Sequence, residues 1–335
     1  MGVVLDGCPA GVEISQEEIC AELRRRAPGV QAWTSPRREP DQPEILSGVF
    51  RGKTTGHPIS ILIRNKDADS SKYQEEVVRP GHATYTYMEK YGAFDFRGGG
   101  RASARETVGR VAAAAVAKKL LKHYGTDVTA YLKQVGEVVA KVETQAAFQE
   151  RNADFFCPDG TARAAMVQQL QRASDEGDSL GGVVEFQVQG AEAGLGDPIY
   201  EKIQAKLGSA LFSIPAVKGV ELGSGFQASQ MRGSDHNDPM EMRDGKAVFK
   251  KNDAGGLLGG ITTGEVVTGR VAFKPPSSIQ KSQKTVTLEK EEICYSLPEG
   301  SRHDPCVAIR GVVVVEAMVA LVFADAYLMK RCSRL

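Results

Sequence analysis

Two spacings of apolar residues recur along the chain, one helical and one alternating. Val108, Val111, Ala112, Ala115, Val116 and Leu120 recur at helical spacing and predict a helix that stops at Gly125. "SQEEICAELRRR" (Ser15 to Arg26) starts like a capped helix, and "TARAAMVQQLQRASDEGD" has helical spacing and composition. "ISILIRN", "GGVVEFQVQG", "VVTGRVAFKP" and "TVTLEK" are short β-rich runs set among these helices, which predicts a mixed α/β or α+β fold. "NKDADSSKYQEEVVRPGH", charged and short of core residues, and "MRGSDHNDPMEMRDGKAVFKKNDAGGLLGG", long and rich in Gly, Asp and Asn, read as loops or flaps. No linker interrupts the pattern, so residues 1–335 read as a single large domain.

The most apolar stretch, "GVVVVEAMVALVFADAYL" (Gly311 to Leu328), is nearly long enough to span a bilayer. Glu316 lies within it and Asp325 near its end. An acidic group at mid-membrane costs about 2.5–3.5 kcal/mol, so the stretch reads as a buried core element and no membrane partner is expected.

Composition narrows the functional classes. Among 335 residues, 42 basic side chains balance 42 acidic ones, leaving no global field to attract nucleic acid or an anionic membrane. Any anion site must be local. The six cysteines are scattered without a CxxC pair or a preceding secretory signal, which reads as reduced thiols in a cytoplasmic setting and no zinc or other metal site.

One stretch concentrates local charge. "RGGGRASARET" (Arg97 to Thr107) packs three glycines and three arginines around Ser103 and Glu106, which have capping-box spacing. Gly98 to Gly100 would approach a helix N-terminus, where free amides favour an anion, with Arg101 and Arg105 adding charge-assisted hydrogen bonds. A glycine-rich turn with solvated arginines is an equally available reading. Elsewhere, His82 follows an Arg-Pro-Gly turn, and Lys274 sits beside two prolines and two hydroxyls in "FKPPSSI". Asp304 stands where a helix N-cap belongs, with Pro305 at the first helical position. His57, His123, His236 and His303 read as surface or structural residues.

Taken together, "GRASARETVGRVAAAAVAKK", "RPGHATYTYMEKYG", "AGGLLGGITTG", "FKPPSSI" and "RHDPCVAIRGVVVVEAM" resemble the chorismate synthase family in order and separation. So do "DGCPAG", "RREPDQ", "SGVFRGKTTG" and "AVKGVELGSGF", and the likeness runs to about Met329. The resemblance implies an α+β fold of the β-α-β sandwich type and a homotetramer. It implies a carbon–oxygen lyase that converts 5-enolpyruvylshikimate 3-phosphate to chorismate and phosphate by a 1,4-anti elimination, the last step of the shikimate pathway. It further implies reduced FMN as cofactor, with NADPH acting indirectly through an external flavin reductase.

Matched motif by motif, the resemblance implies flavin contacts from Arg101, Ala102 and Ser103, from Gly259, from Lys274, Pro275, Pro276, Ser277 and Ser278, and from Arg302. His82 matches a histidine proposed as an acid near the flavin, and Asp304 an aspartate proposed to assist at flavin N5. A histidine pKa near neutrality would suit such proton handling. Arg26 fits an anion-binding arginine, while a second family arginine aligns with Ala32. Where the family usually has asparagine this chain has Pro215, so that flavin contact would pass to the backbone or to Ala216. The family's opening strand, with its glycine-glutamate-serine-histidine-glycine motif, has no counterpart ahead of "GVVLDGCPAG". That departure predicts a fold with little chorismate formation, and it sets a runner-up reading: a catalytically impaired flavin- or anion-binding form of the same fold.

Overall fold

The computed structural model describes residues 1–28, 33–67, 69, 71–97, 100–142, 154–298 and 300–333. Ala32 and two glycines of the arginine-rich stretch, Gly98 and Gly99, lie outside the described residues.

A small antiparallel sheet has the order β1 (Gly2–Leu5), β5 (Ile59–Ile63), β2 (Pro43–Ile45), with a hairpin of β3 (Val49–Phe50) and β4 (Lys53–Thr54) between the last two in sequence. Above it lie helices α1 (Gln16–Arg26) and α3 (Thr107–His123). The largely buried helix α7 (Ala308–Lys330) packs on both and on the larger sheet beyond. That sheet is antiparallel, ordered β7 (Val138–Val139), β6 (Asp127–Val135), β8 (Gly182–Gln189), β14 (Val267–Phe273), β9 (Val217–Leu222). Sheet, helices and sheet make a β-α-β sandwich around one continuous apolar core. Along β8, Val184, Phe186 and Val188 alternate inward, as a strand with one helix-covered face requires. Helix α4 (Gly160–Asp175) covers the β6–β7 end, and α5 (Ile203–Phe212) packs on α7 and β9.

The sequence-based helices hold at α1, α3 and α4. Ser15 Oγ accepts from the Glu18 amide at 3.2 Å while Glu18 Oε2 accepts from the Ser15 amide at 2.9 Å, a complete capping box. Gly125, with φ +69°, turns the chain out of α3. Three expectations differ. Ser103 and Glu106 form no capping box: Ser103 Oγ accepts from Arg105 N at 3.3 Å in a short 3-10 turn, and Glu106 turns to Arg110 at 3.0 Å. Asp304 is no cap either, because α7 starts four residues later. And the 231–260 stretch is not simply a loop. It holds the short helix α6 (Gly233–His236), a hairpin of β10 (Met240–Arg243) and β11 (Lys246–Phe249), and the start of a tight hairpin of β12 (Leu257–Leu258) and β13 (Ile261–Thr262). The turn between β10 and β11 is Asp244-Gly245, both left-handed, with φ of 51° and 75°. That Asp-Gly pair flanked by strand-forming residues is the hairpin signal the composition reading passed over. The "TVTLEK" run is only half strand: β15 (Gln283–Val286) ends within it and pairs with β16 (Glu292–Tyr295).

The apolar helix α7 is long enough to cross a membrane, yet it is buried inside the protein. Its Glu316 is wholly buried and ion-paired to Arg25 of α1 at 2.8 Å and to Lys118 of α3 at 3.1 Å. Its other oxygen accepts from the Ala130 amide of β6 at 3.0 Å.

Candidate active-site cleft

A cleft of about 650 Å3 opens where the 3-10 turn before α3, the turn before helix α2 (Thr84–Tyr91), the ends of β9 and β14, and the approach to α7 converge. That volume suits a cofactor-sized ligand. Of the residues named from sequence, His82, Arg101, Ala102, Ser103, Pro215, Ala216, Lys274, Pro276, Ser277, Ser278, Arg302 and Asp304 all line it. They come from five separate segments, and only the fold brings them together.

Three are not brought there. Gly259 stands in the β12–β13 turn, with φ +63° and nothing within 4 Å of where a Cβ would be. Pro275 does not line the cleft and is exposed, beside Gly181. Arg26 is 2% exposed behind the cleft wall, with Asp41 at 3.8 Å, and burial beside Arg310 pushes its guanidinium down to about 9. Arg105 lines the wall but is not free for a ligand: it is buried against Asp41 at 2.5 Å and Glu39 at 3.6 Å.

The backbone of the cleft is under local constraint. Ala216 holds φ +71°, a left-handed conformation that costs a non-glycine residue about 1–2 kcal/mol. Its carbonyl accepts the Lys274 amide at 2.9 Å, so the Pro215–Ala216 turn and the end of β14 are locked together. Lys274 Nζ donates to the Gly81 carbonyl at 2.7 Å, tying the phosphate-cradle candidate to the turn that carries His82. Gly81 has φ +64°, and a Cβ there would come within 3.1 Å of Ser277. Glycine is needed for both reasons.

His82 sits in a cationic setting. Arg79 NH2 lies 2.8 Å from Nε2, and Nδ1 lies 3.0 Å from Thr84 Oγ1, so one neutral tautomer satisfies both: Nε2 accepts from Arg79 and Nδ1–H donates to Thr84. Burial, then the charges of Arg79 and Lys274, push its pKa down to about 4. The near-neutral value anticipated from sequence is therefore not that of the free cleft. His303, set aside in the sequence as structural, also lines the cleft, and burial with Arg79 lowers its pKa.

Asp304 has both oxygens engaged. Oδ1 accepts the Ser35 amide at 2.7 Å, and Oδ2 pairs with Arg310 NH1 at 2.9 Å. It thereby joins the segment after α1 to the first turn of α7. Arg37, Arg79, Lys218 and Arg310 also line the cleft. Sequence reading missed them because isolated basic residues carry no local signal. The two wall carboxylates are committed, Glu39 to Arg37 and Asp304 to Arg310. Arg79, Arg101, Lys218 and Lys274 have no carboxylate partner among the described residues. Burial keeps Arg79 and Lys274 below their ordinary pKa values, so an incoming anion would stabilise charges the protein has left uncompensated. Phe212, Ile214 and Val217 supply an apolar side to the same cleft. A second cavity of about 580 Å3, near α1 and α3, offers no such excess: Lys118 and Lys119 there are paired to Glu22 and Glu18.

Fold and cleft together define a β-α-β sandwich protein suited to a small polyanion with an apolar face. Residues 1–328 match the chorismate synthase family. The chain is 53% identical to the chorismate synthase of Protochlamydia amoebophila over 346 residues, spanning 100% of this chain and 94% of that one. It is 50% identical to that of Archaeoglobus fulgidus over 334 residues, spanning 98% and 92% respectively. A solved structure, described as a crystal structure of chorismate synthase, superposes with a TM-score of 0.75 at 31% identity, over 98% of this chain and 88% of that one. The chain belongs to the chorismate synthase family, and is accordingly a lyase acting on a small-molecule substrate.

Proposed function

We propose that the cleft binds reduced FMN and 5-enolpyruvylshikimate 3-phosphate together and catalyses 1,4-anti elimination of phosphate to give chorismate. The observation that carries this reading is the excess of uncommitted cations around an apolar-sided cleft in a chain with zero net charge. A phosphorylated dicarboxylate and a flavin phosphate need such local charge, and the donor set fits both. Arg101, Lys274 and the hydroxyls of Ser103, Ser277 and Ser278 are the residues that would hold the flavin, with Arg302, which also lines the cleft. When bound, reduced flavin supplies electron density to the positive charge that develops as the carbon–oxygen bond breaks.

The protein's share is positioning and electrostatics. Arginine and lysine side chains stabilise the departing phosphate. His82 is the cleft residue we assign to proton transfer; its Nε2 lone pair is engaged by Arg79 in the free cleft, so that contact must give way before Nε2 can take a proton. Asp304 orients Arg310 and closes the wall at Ser35. We further propose a homotetramer, which would cover the exposed Tyr200, Phe226 and Met242, and a cytoplasmic setting consistent with six free cysteines. An external flavin reductase drawing on NADPH would keep the flavin reduced.

Two measurements test the reading. Arg101→Ala and Lys274→Ala should each weaken FMN binding at least tenfold with substrate present, since a charge-assisted contact contributes about 1.5–3 kcal/mol. Fluorescence titration reads this directly, and unchanged affinity in both would remove the flavin from this cleft. The second concerns protons. Burial is the first cause of the low His82 pKa and the Arg79 and Lys274 charges add to it; an anion offsets the charges, so the pKa should rise on binding. Binding should then take up protons between about pH 4 and 6.5, and the affinity should gain as pH falls through that window. Calorimetry in buffers of different ionisation enthalpy should show the uptake, and His82→Asn should remove it. Equal uptake in both chains would place the titrating group elsewhere.

A further inference from the structure

Arg302 does not stand alone on the cleft wall. Its NH1 donates to Asp67 Oδ1 at 2.7 Å and its NH2 reaches the Asp67 carbonyl at 3.3 Å, across 235 residues of sequence. Asp67 is itself held. Its Oδ2 accepts the Arg38 amide at 2.8 Å, and its own amide donates to Glu39 Oε1 at 3.2 Å. The neighbouring Lys66 amide donates to Glu39 Oε2 at 3.1 Å. Glu39 is buried, and it also takes Arg37 at 2.5 Å and Arg105 at 3.6 Å. A buried carboxylate thus fixes the backbone at residues 66 and 67, and that segment presents a second carboxylate to a cleft arginine.

We propose that Asp67 is a positioning residue that aims Arg302 into the cleft, with Glu39 as the anchor of the segment that carries it. The inference rests on the cleft being the flavin and substrate site. Two features favour positioning over competition with an incoming anion. A guanidinium has five N–H donors, and the Asp67 contacts use one on each terminal nitrogen, so the others stay available to a ligand. The carboxylate is also fixed by the Arg38 amide, so it holds a stationary partner and cannot swing across the cleft. The ion pair draws the Asp67 carboxyl below its ordinary pKa and raises that of Arg302, so both stay charged through the neutral range.

A double-mutant cycle on the full chain tests this, with FMN as the probe and fluorescence as the readout. Asp67→Asn should weaken FMN about three- to fivefold, the scale of a partly exposed ion pair, without altering Tm by more than a degree or two. In an Arg302→Ala background the same substitution should have no effect on FMN, and Asp67→Glu should recover part of the loss. A purely structural role would weaken binding equally in both backgrounds, and that result would overturn the proposal. So would tighter binding in Asp67→Asn, the outcome for a competing carboxylate, or no change at all. Lys274→Ala, on another wall, is the control. If neither it nor Arg302→Ala weakens FMN, the cleft reading fails and the positioning role falls with it. If both weaken FMN and Asp67→Asn does not, only the positioning role is wrong.

Discussion

Glu316→Ala should lower the stability of the fold by about 3 kcal/mol, the low end for breaking a buried ion pair. Glu316 is wholly buried in α7 and neutralises Arg25 and Lys118, which reach it from α1 and α3. It also accepts the Ala130 amide on the edge of β6 that faces away from β8. Alanine would leave that amide without its acceptor and two cations with one fewer carboxylate. The low end applies because Glu22 remains, at 2.8 Å from Arg25 and 2.7 Å from Lys118. With the unfolding entropy of a chain of this length, the loss corresponds to a fall in Tm of roughly 4 °C by calorimetry. Glu316→Gln should cost less, since it keeps an acceptor for Ala130. A Tm unchanged in Glu316→Ala would mean that the network contributes nothing net, as some buried pairs do.

In a chain that carries the family's opening strand, His82→Ala should reduce turnover at least ~10²-fold, the low end for an acid–base group, while FMN and substrate affinity stay within a few fold. Burial first, and then Arg79, Lys274 and His303, disfavour its protonated form, so in the free cleft it is neutral at pH 7. The anionic ligands are what would return it toward its ordinary range, which makes its charge state a consequence of binding. Folding shows the same linkage with a definite sign. Because the folded pKa is depressed, stability contributed by neutral His82 is present above about pH 6.5 and is lost as pH falls toward 4. The assay is anaerobic phosphate release with reduced FMN at saturating substrate, followed across pH. Turnover that survives the substitution within a few fold would make His82 a structural residue.

Much of this was legible in the chain before any coordinates. The α1 capping box is encoded within four residues, and the α3 stop at Gly125 depends on one residue's access to positive φ. Such features are local, so a local reading finds them. The Ser103–Glu106 pair has the same spacing as the α1 box and yet forms none, because Arg110 one turn on offers Glu106 a stronger partner. Asp304 looked like a cap beside Pro305, but Ser35 and Arg310 claim both its oxygens. In each case an arginine four or six residues further on takes a carboxylate oxygen that a cap would have used, and at Asp304 the distant Ser35 amide takes the other.

The sequence by itself determined the strongly periodic helices and strands, the buried fate of an apolar helix containing one glutamate, and, through its ordered motifs, the family. Periodicity, capping and turn chemistry act over a few residues, and so they survive in a linear reading. Only the tertiary structure decided which charges are available to a ligand. Arg101, Arg105 and Arg26 are indistinguishable as letters, yet Arg101 faces the cleft, Arg105 is spent on Asp41, and Arg26 is sealed behind the wall. Whether a charge is free depends on where its counter-charge lies: Asp41 is 15 residues from Arg26 and 64 from Arg105, and Asp67 is 235 from Arg302. Coulomb attraction and burial depend on distance in space, which chain order does not record.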